Sequence, residues 1–147
     1  RRHSFPTRRS SDLSTEPDHA PHPIESKDCE WNAAAFGMLG LETAASIAQE
    51  VLIESGKSDW NRFSQVLSKN PARIAGDQEQ GQEIQAGSYA NIVLIDPRVK
   101  RKVVSESASK SINSPFVGLE LPGKITHTIY RGYFTVRDSN LAEQGRS

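Results

Sequence analysis

Apolar positions recur at helical spacing over "GLETAASIAQEVLIESG", where Leu41, Ala44, Ala45, Ala48, Val51 and Leu52 share one face. Glu42, Ser46, Gln49 and Glu50 fall mostly to the other side. The pattern predicts a helix over 41–55 with that apolar face buried, and Gly56 following as its C′ residue. A second helix is signalled by "SDWNRFSQVLSKNPARIAG". Ser58 is the candidate N-cap, Asp59 lies in the first turn, and Trp60, Phe63, Val66 and Leu67 form the apolar stripe. Asn70-Pro71 should end it, because the residue before proline avoids the helical region. "PARIAG" then reads as one further turn that stops at Gly76.

Past Gly76 the period changes to that of strands. "ANIVLIDP" is a short apolar run suited to a strand buried on both faces, and "RKVV" suits a second short strand. "GKITHTIYRGYFTVRDS" alternates around Arg131-Gly132, a hairpin signal, and the tail from Asn140 is polar and expected to fray. About four strands are too few to cover both the helices and a core of their own. A missing partner accounts for the imbalance. The chain by itself is therefore expected to expose apolar surface and strand edges and to aggregate readily.

Composition narrows the class. The 147 residues are 35% hydrophobic and 24% charged, with formal net charge zero, which points to neither nucleic acid nor an anionic membrane. The lone Cys29 excludes an internal disulfide framework. No apolar run approaches the roughly 20 residues of a membrane span. The neutral total hides a basic start: residues 1–13 hold Arg1, Arg2, Arg8 and Arg9 against Asp12. A phosphate-contacting arm or a polar Ser/Arg tail would both fit. The string reads best as a non-native, sequencing-adapter-derived segment and is set aside from the fold. It has no apolar core, so it is neither a secretory signal nor a targeting helix.

The densest chemistry is "PDHAPHP", Pro17 to Pro23. Asp18 can bind a divalent cation or move a proton, and His19 and His22 can ligate metal or donate to an anion. On residue types alone a proline-stiffened loop with surface histidines is the simpler account. A catalytic zinc site normally takes three or more protein ligands, yet beyond residue 13 the histidines are His19, His22 and His127 only. HxH, HExxH and CxxC do not occur. His127 falls on a predicted strand and reads as a surface residue. Cys29 lacks the setting of a nucleophile, and Trp31 and Trp60 read as packing residues.

"DHAPH", "AAFGMLGLETA", "NPARIAG" and "ANIVLIDP", in that order from about Asp18 to about Asp138, resemble the C-terminal third of a dihydroorotase. The resemblance is to the bacterial type related to allantoinases and hydantoinases in the amidohydrolase superfamily. It implies an α/β fold: the C-terminal part of a (β/α)8 metallo-dependent hydrolase barrel plus part of the flanking small β-sandwich. Residues 14–81 would then end the barrel, 82–139 would belong to the sandwich, and 140–147 would be a polar tail. The sandwich's other strands would come from the N-terminus of a longer chain.

By the same resemblance Asp18 is a zinc ligand and the catalytic carboxylate, which takes the proton of a metal-bridging hydroxide and returns it to the leaving nitrogen. His22 matches the residue that binds the substrate's carboxylate. Phe36 and Gly37 match a pair whose backbone meets the substrate ring, with glycine allowing close approach. His19 receives no role beyond structure. The family usually has a strand ending in Thr before the aspartate. Here "STEP" precedes it, which puts the junction with foreign sequence between Leu13 and Pro17.

The implied parent is a cytoplasmic, two-zinc enzyme of pyrimidine synthesis that interconverts N-carbamoyl-L-aspartate and dihydroorotate. The remaining zinc ligands lie outside this chain, so the 147 residues alone should be inactive. The implied partners are a small-molecule substrate and, in the intact protein, further copies or aspartate carbamoyltransferase, with no nucleic acid and no membrane. A non-catalytic scaffold of that transferase, and a hydantoinase or allantoinase relative, are the alternatives.

Overall fold

The computed structural model describes Ser14 and residues 19–143. Asp18 and the Arg-rich first segment lie outside the described residues. Two helical stretches are followed by a four-stranded antiparallel sheet of order β1-β2-β3-β4.

The first helix, α1 (Ala44–Gln49), starts three residues later than the periodicity implies, because Gly40 to Thr43 form a turn instead. In that turn the Gly40 carbonyl accepts from both Thr43 and Ala44. α1 runs directly into a wider, π-type turn, Glu50–Glu54, and Gly56 follows the end as expected.

The burial of α1 differs from the prediction. Ser46 and Gln49, with Thr43, are buried alongside Ala48, whereas apolar Leu41 and Val51 are 62% and 48% exposed; Glu42 and Glu50 face solvent as expected. The polar stripe faces the sheet because the sheet offers acceptors there: Ser46 Oγ donates to Gly123 O (3.2 Å) and Gln49 Nε2 to Pro97 O (2.9 Å). Gly123 fits this contact for steric reasons. Its φ is +80°, and a Cβ there would stand 2.3 Å from Gln49 Oε1.

The second helical stretch comprises α2 (Trp60–Ser64), a wide turn Gln65–Lys69, and α3 (Asn70–Ala75). Its N-cap is Asp59 rather than Ser58, with Asp59 Oδ1 accepting from Arg62 N at 2.8 Å. Asn70-Pro71 does not break it, since Asn70 stays helical (φ −70°, ψ −43°). Proline has no N–H to offer the preceding turn, and the widened hydrogen-bonding just before it absorbs that loss. Left-handed Gly76 ends the helix as expected. Phe63, Val66 and Ala72 form the small core here, and Trp60 rests edge-on against Phe63 at 5.1 Å.

The two runs expected as separate strands form one bent strand. β1 (Ile92–Lys102) takes in Pro97 and also Arg101-Lys102, with register shifts between Leu94 and Ile95 and between Asp96 and Lys100. β1 is the edge strand, where proline is tolerated, and it is not buried on both faces: Val93 and Leu94 are about half exposed.

β2 (Glu120–Tyr130) pairs with β1 along its length and with β3 (Tyr133–Arg137) through the predicted hairpin. Arg131 and Gly132 both have positive φ, 50° and 87°, as a two-residue type I′ turn needs. The sheet also extends past its expected end. Asn140–Leu141 form β4 against Val136 and Arg137, so those two residues are paired. Val103, Leu121 and Pro122 are buried where the end of β1 meets the start of β2.

Candidate functional site

The loop that carries the histidines lies beside residues 36–40. His19 and Met38 form a parallel bridge, and Ala20 N donates to Met38 O at 2.9 Å. His19 Nδ1 accepts from Gly40 N (3.2 Å) and, at a longer 3.5 Å, from Leu41 N. That imidazole therefore satisfies free backbone donors just ahead of α1.

His22 is brought to Phe36 and Gly37. Its Nε2 lies 2.8 Å from Phe36 O, and its backbone N donates to Asn113 Oδ1 at 3.3 Å. A carbonyl can only accept, so Nε2 carries the hydrogen. In the neutral ring Nδ1 is then an acceptor, and only the imidazolium has a second N–H to offer an anion. Gly37 has φ +100°, and a Cβ on it would fall 2.3 Å from Ala20 Cβ. Only glycine lets the two segments touch there. The Phe36 ring is 94% exposed, which leaves the Phe36–Gly37 backbone and the His22 ring on an open surface.

Two residues that sequence reasoning did not single out hold this arrangement. Lys27 Nζ donates to Ala35 O (2.7 Å) and Gly37 O (2.9 Å), bracketing Phe36. Asn113, from the long connection between β1 and β2, reaches the loop with both ends of its amide and with its own carbonyl. Its place in "INSPF" signals a turn, but no periodicity signals a contact across 91 residues.

Other chemistry-bearing residues stand apart. Cys29 is exposed. Trp31 is 94% exposed and so does not pack as expected. His127 lies on β2, half-buried instead of on the surface, with Nε2 3.4 Å from Asp138 Oδ1 and the ring edge-on to Phe134. Behind the loop, a cavity of about 380 Å³ is bounded by His19, Leu41, Glu42, Arg101, Val103 and Ile112.

Among the described residues no three His, Cys, Asp or Glu side chains come together as a metal group. The donor set does not fit a metal centre without Asp18 and ligands from elsewhere. No helix among them is long and apolar enough to cross a membrane.

No protein-family model matches the chain. Solved structures match its fold closely. A dihydropyrimidinase from Brevibacillus agri superposes with TM-score 0.77 at 26% identity, covering 88% of this chain and 29% of that one. The D-hydantoinase from Bacillus sp. AR9 gives 0.75 at 27%, with the same coverages. The chain thus has the helices and antiparallel sheet of the matching part of those amidohydrolase barrel proteins.

Its sequence is similar to those of dihydroorotases. It is 45% identical over 127 residues to the dihydroorotase of Leifsonia xyli and 46% over 125 residues to that of Streptomyces coelicolor. The first alignment takes in 86% of this chain, the second 84%. The chain spans about 29% of the length of these curated relatives.

Proposed function

We propose that this chain is the C-terminal segment of a dihydroorotase, and that the whole protein interconverts N-carbamoyl-L-aspartate and dihydroorotate in pyrimidine biosynthesis. The observation that carries the reading is the 45% identity to a dihydroorotase over 86% of the chain. The contact between His22 and Phe36 beside Gly37 supports the roles within it.

His22 binds the substrate's carboxylate: with Nε2 committed to Phe36 O, Nδ1 is the ring atom left to face the anion. The Phe36 and Gly37 backbone meets the ring of the substrate, and the absence of a Cβ on Gly37 keeps that approach open. Asp18 is the catalytic carboxylate and a metal ligand. Zinc is the proposed metal, its other ligands coming from outside this chain. Residues 14–81 end the barrel and 82–139 belong to the small sheet domain. The protein is cytoplasmic, with further copies or aspartate carbamoyltransferase as its protein partners.

The test is a hybrid in which residues 14–147 replace the matching part of the Leifsonia relative. It should hydrolyse dihydroorotate and form it from carbamoyl aspartate. His22→Ala should raise KM at least tenfold with a smaller change in kcat, and Asp18→Ala should abolish turnover. Turnover of hydantoin in place of dihydroorotate would move the assignment to a hydantoinase, and a folded hybrid inert on both would support the scaffold.

A further inference from the structure

We propose that Asn113 is a positioning residue that sets His22 for substrate, so that the small sheet domain controls the geometry of the barrel-end loop. The proposal rests on the reading of His22 as the carboxylate ligand. Asn113 Oδ1 accepts from His22 N at 3.3 Å, and Asn113 Nδ2 donates to Ala20 O at 2.9 Å. Its backbone carbonyl accepts from Leu39 N at 3.2 Å.

One residue thus joins both strips of the site, 20–22 and 36–40, from a connection 91 positions beyond His22. A side-chain amide with one acceptor and one donor reproduces the hydrogen-bonding of a neighbouring strand, which few other side chains can do. The pinned segment is short. Pro21 and Pro23 flank His22 and have no N–H of their own, so the His22 amide is the only backbone donor between Ala20 and Ile24. Removing Asn113 leaves that donor without its partner and frees the ring to leave Phe36 O. Leu39 N also loses its anchor if the Asn113 backbone moves.

The hybrid enzyme supplies the test, read by amide hydrogen exchange and by steady-state kinetics. In Asn113→Ala the His22 amide should exchange at least tenfold faster while the Gly132 amide, in the β2–β3 turn, is unchanged. KM for dihydroorotate should rise about tenfold with kcat within twofold, the size expected when one or two hydrogen bonds are lost. Asn113→Asp keeps the acceptor for His22 N and removes the donor to Ala20 O, so it should restore His22 protection and part of KM. In a His22→Ala background, Asn113→Ala should add less than twofold to KM, because the group it positions is gone.

An unchanged His22 exchange rate would overturn the proposal. So would a full tenfold effect in the His22→Ala background, which would mark a purely structural role. If His22→Ala itself leaves KM unaltered, the carboxylate reading fails, and the exchange rates alone then decide whether Asn113 holds the loop.

Discussion

The β2–β3 hairpin and the His22 loop are held in opposite ways. The hairpin's own pairing is between neighbours: Tyr130 faces Tyr133 across a two-residue turn, whose amides reach back to Asn91 Oδ1 and Ala90 O. Arg131 ties it down further, pairing with Glu79 and lying 5.1 Å from the Tyr89 ring. The loop has local turns, a short helical one at Ile24–Ser26 and another in which Glu30 O accepts from Ala33 N and Ala34 N, but Asn113 joins its two strips from far away. It keeps its shape through contacts with Asn113, Met38 and Lys27, and its aromatic residues point to solvent. The hairpin's register is written in its own sequence. The loop needs the sheet domain already in place.

Substitutions should separate the two. The largest effect is expected from Gly37→Ala, which combines an unfavourable φ with the contact to Ala20. Strain of about 1–3 kcal/mol and a displaced Phe36 carbonyl should lower kcat/KM of the hybrid about 100-fold and deprotect the His22 amide. Gln49→Leu comes next. It removes the donor to Pro97 O in a part-buried contact, so a loss of about 1 kcal/mol is expected from the denaturant midpoint.

Gly132→Ala should cost about 1 kcal/mol, because φ is +87° there. Its increased exchange should stay within the hairpin and leave KM alone; a raised KM would mean that the two regions are not independent. Asp59→Ala should cost about 1 kcal/mol through the lost cap, read from the same midpoint.

The smallest effect concerns acid. The Arg98 side chain, hydrogen-bonded to Asp96, holds that carboxyl below its usual range. A depressed folded-state value gives stabilisation that is present above the unfolded value and fades as pH falls through the folded one. Asp96→Asn should remove that small slope, seen as a flatter midpoint-against-pH curve at acid pH.

How much could be read from sequence follows the same division. The Arg131-Gly132 turn and the helix stop at Gly76 are local chemistry and stood out in the sequence. Family resemblance singled out His22, Phe36 and Gly37, but the direct contact of His22 with Phe36 O came only from the structure. The burial of Ser46 and Gln49 did not, because it depends on acceptors that the bend at Pro97 and the gap at Gly123 leave facing α1. Lys27 and Asn113 were missed for a similar reason: neither side chain belongs to a periodic stripe or a motif. The bent β1 was read as two strands because a proline argues against continuity, and an edge position removes that objection.

The near-collision between positions 20 and 37 also governs how this protein can be recombined. A crossover placed between them would bring together two backbones shaped for different neighbours, and any side chain at 37 would meet the one at 20. Gene shuffling across this region should therefore yield active clones mainly when the stretch from 19 to 40 is inherited as one block.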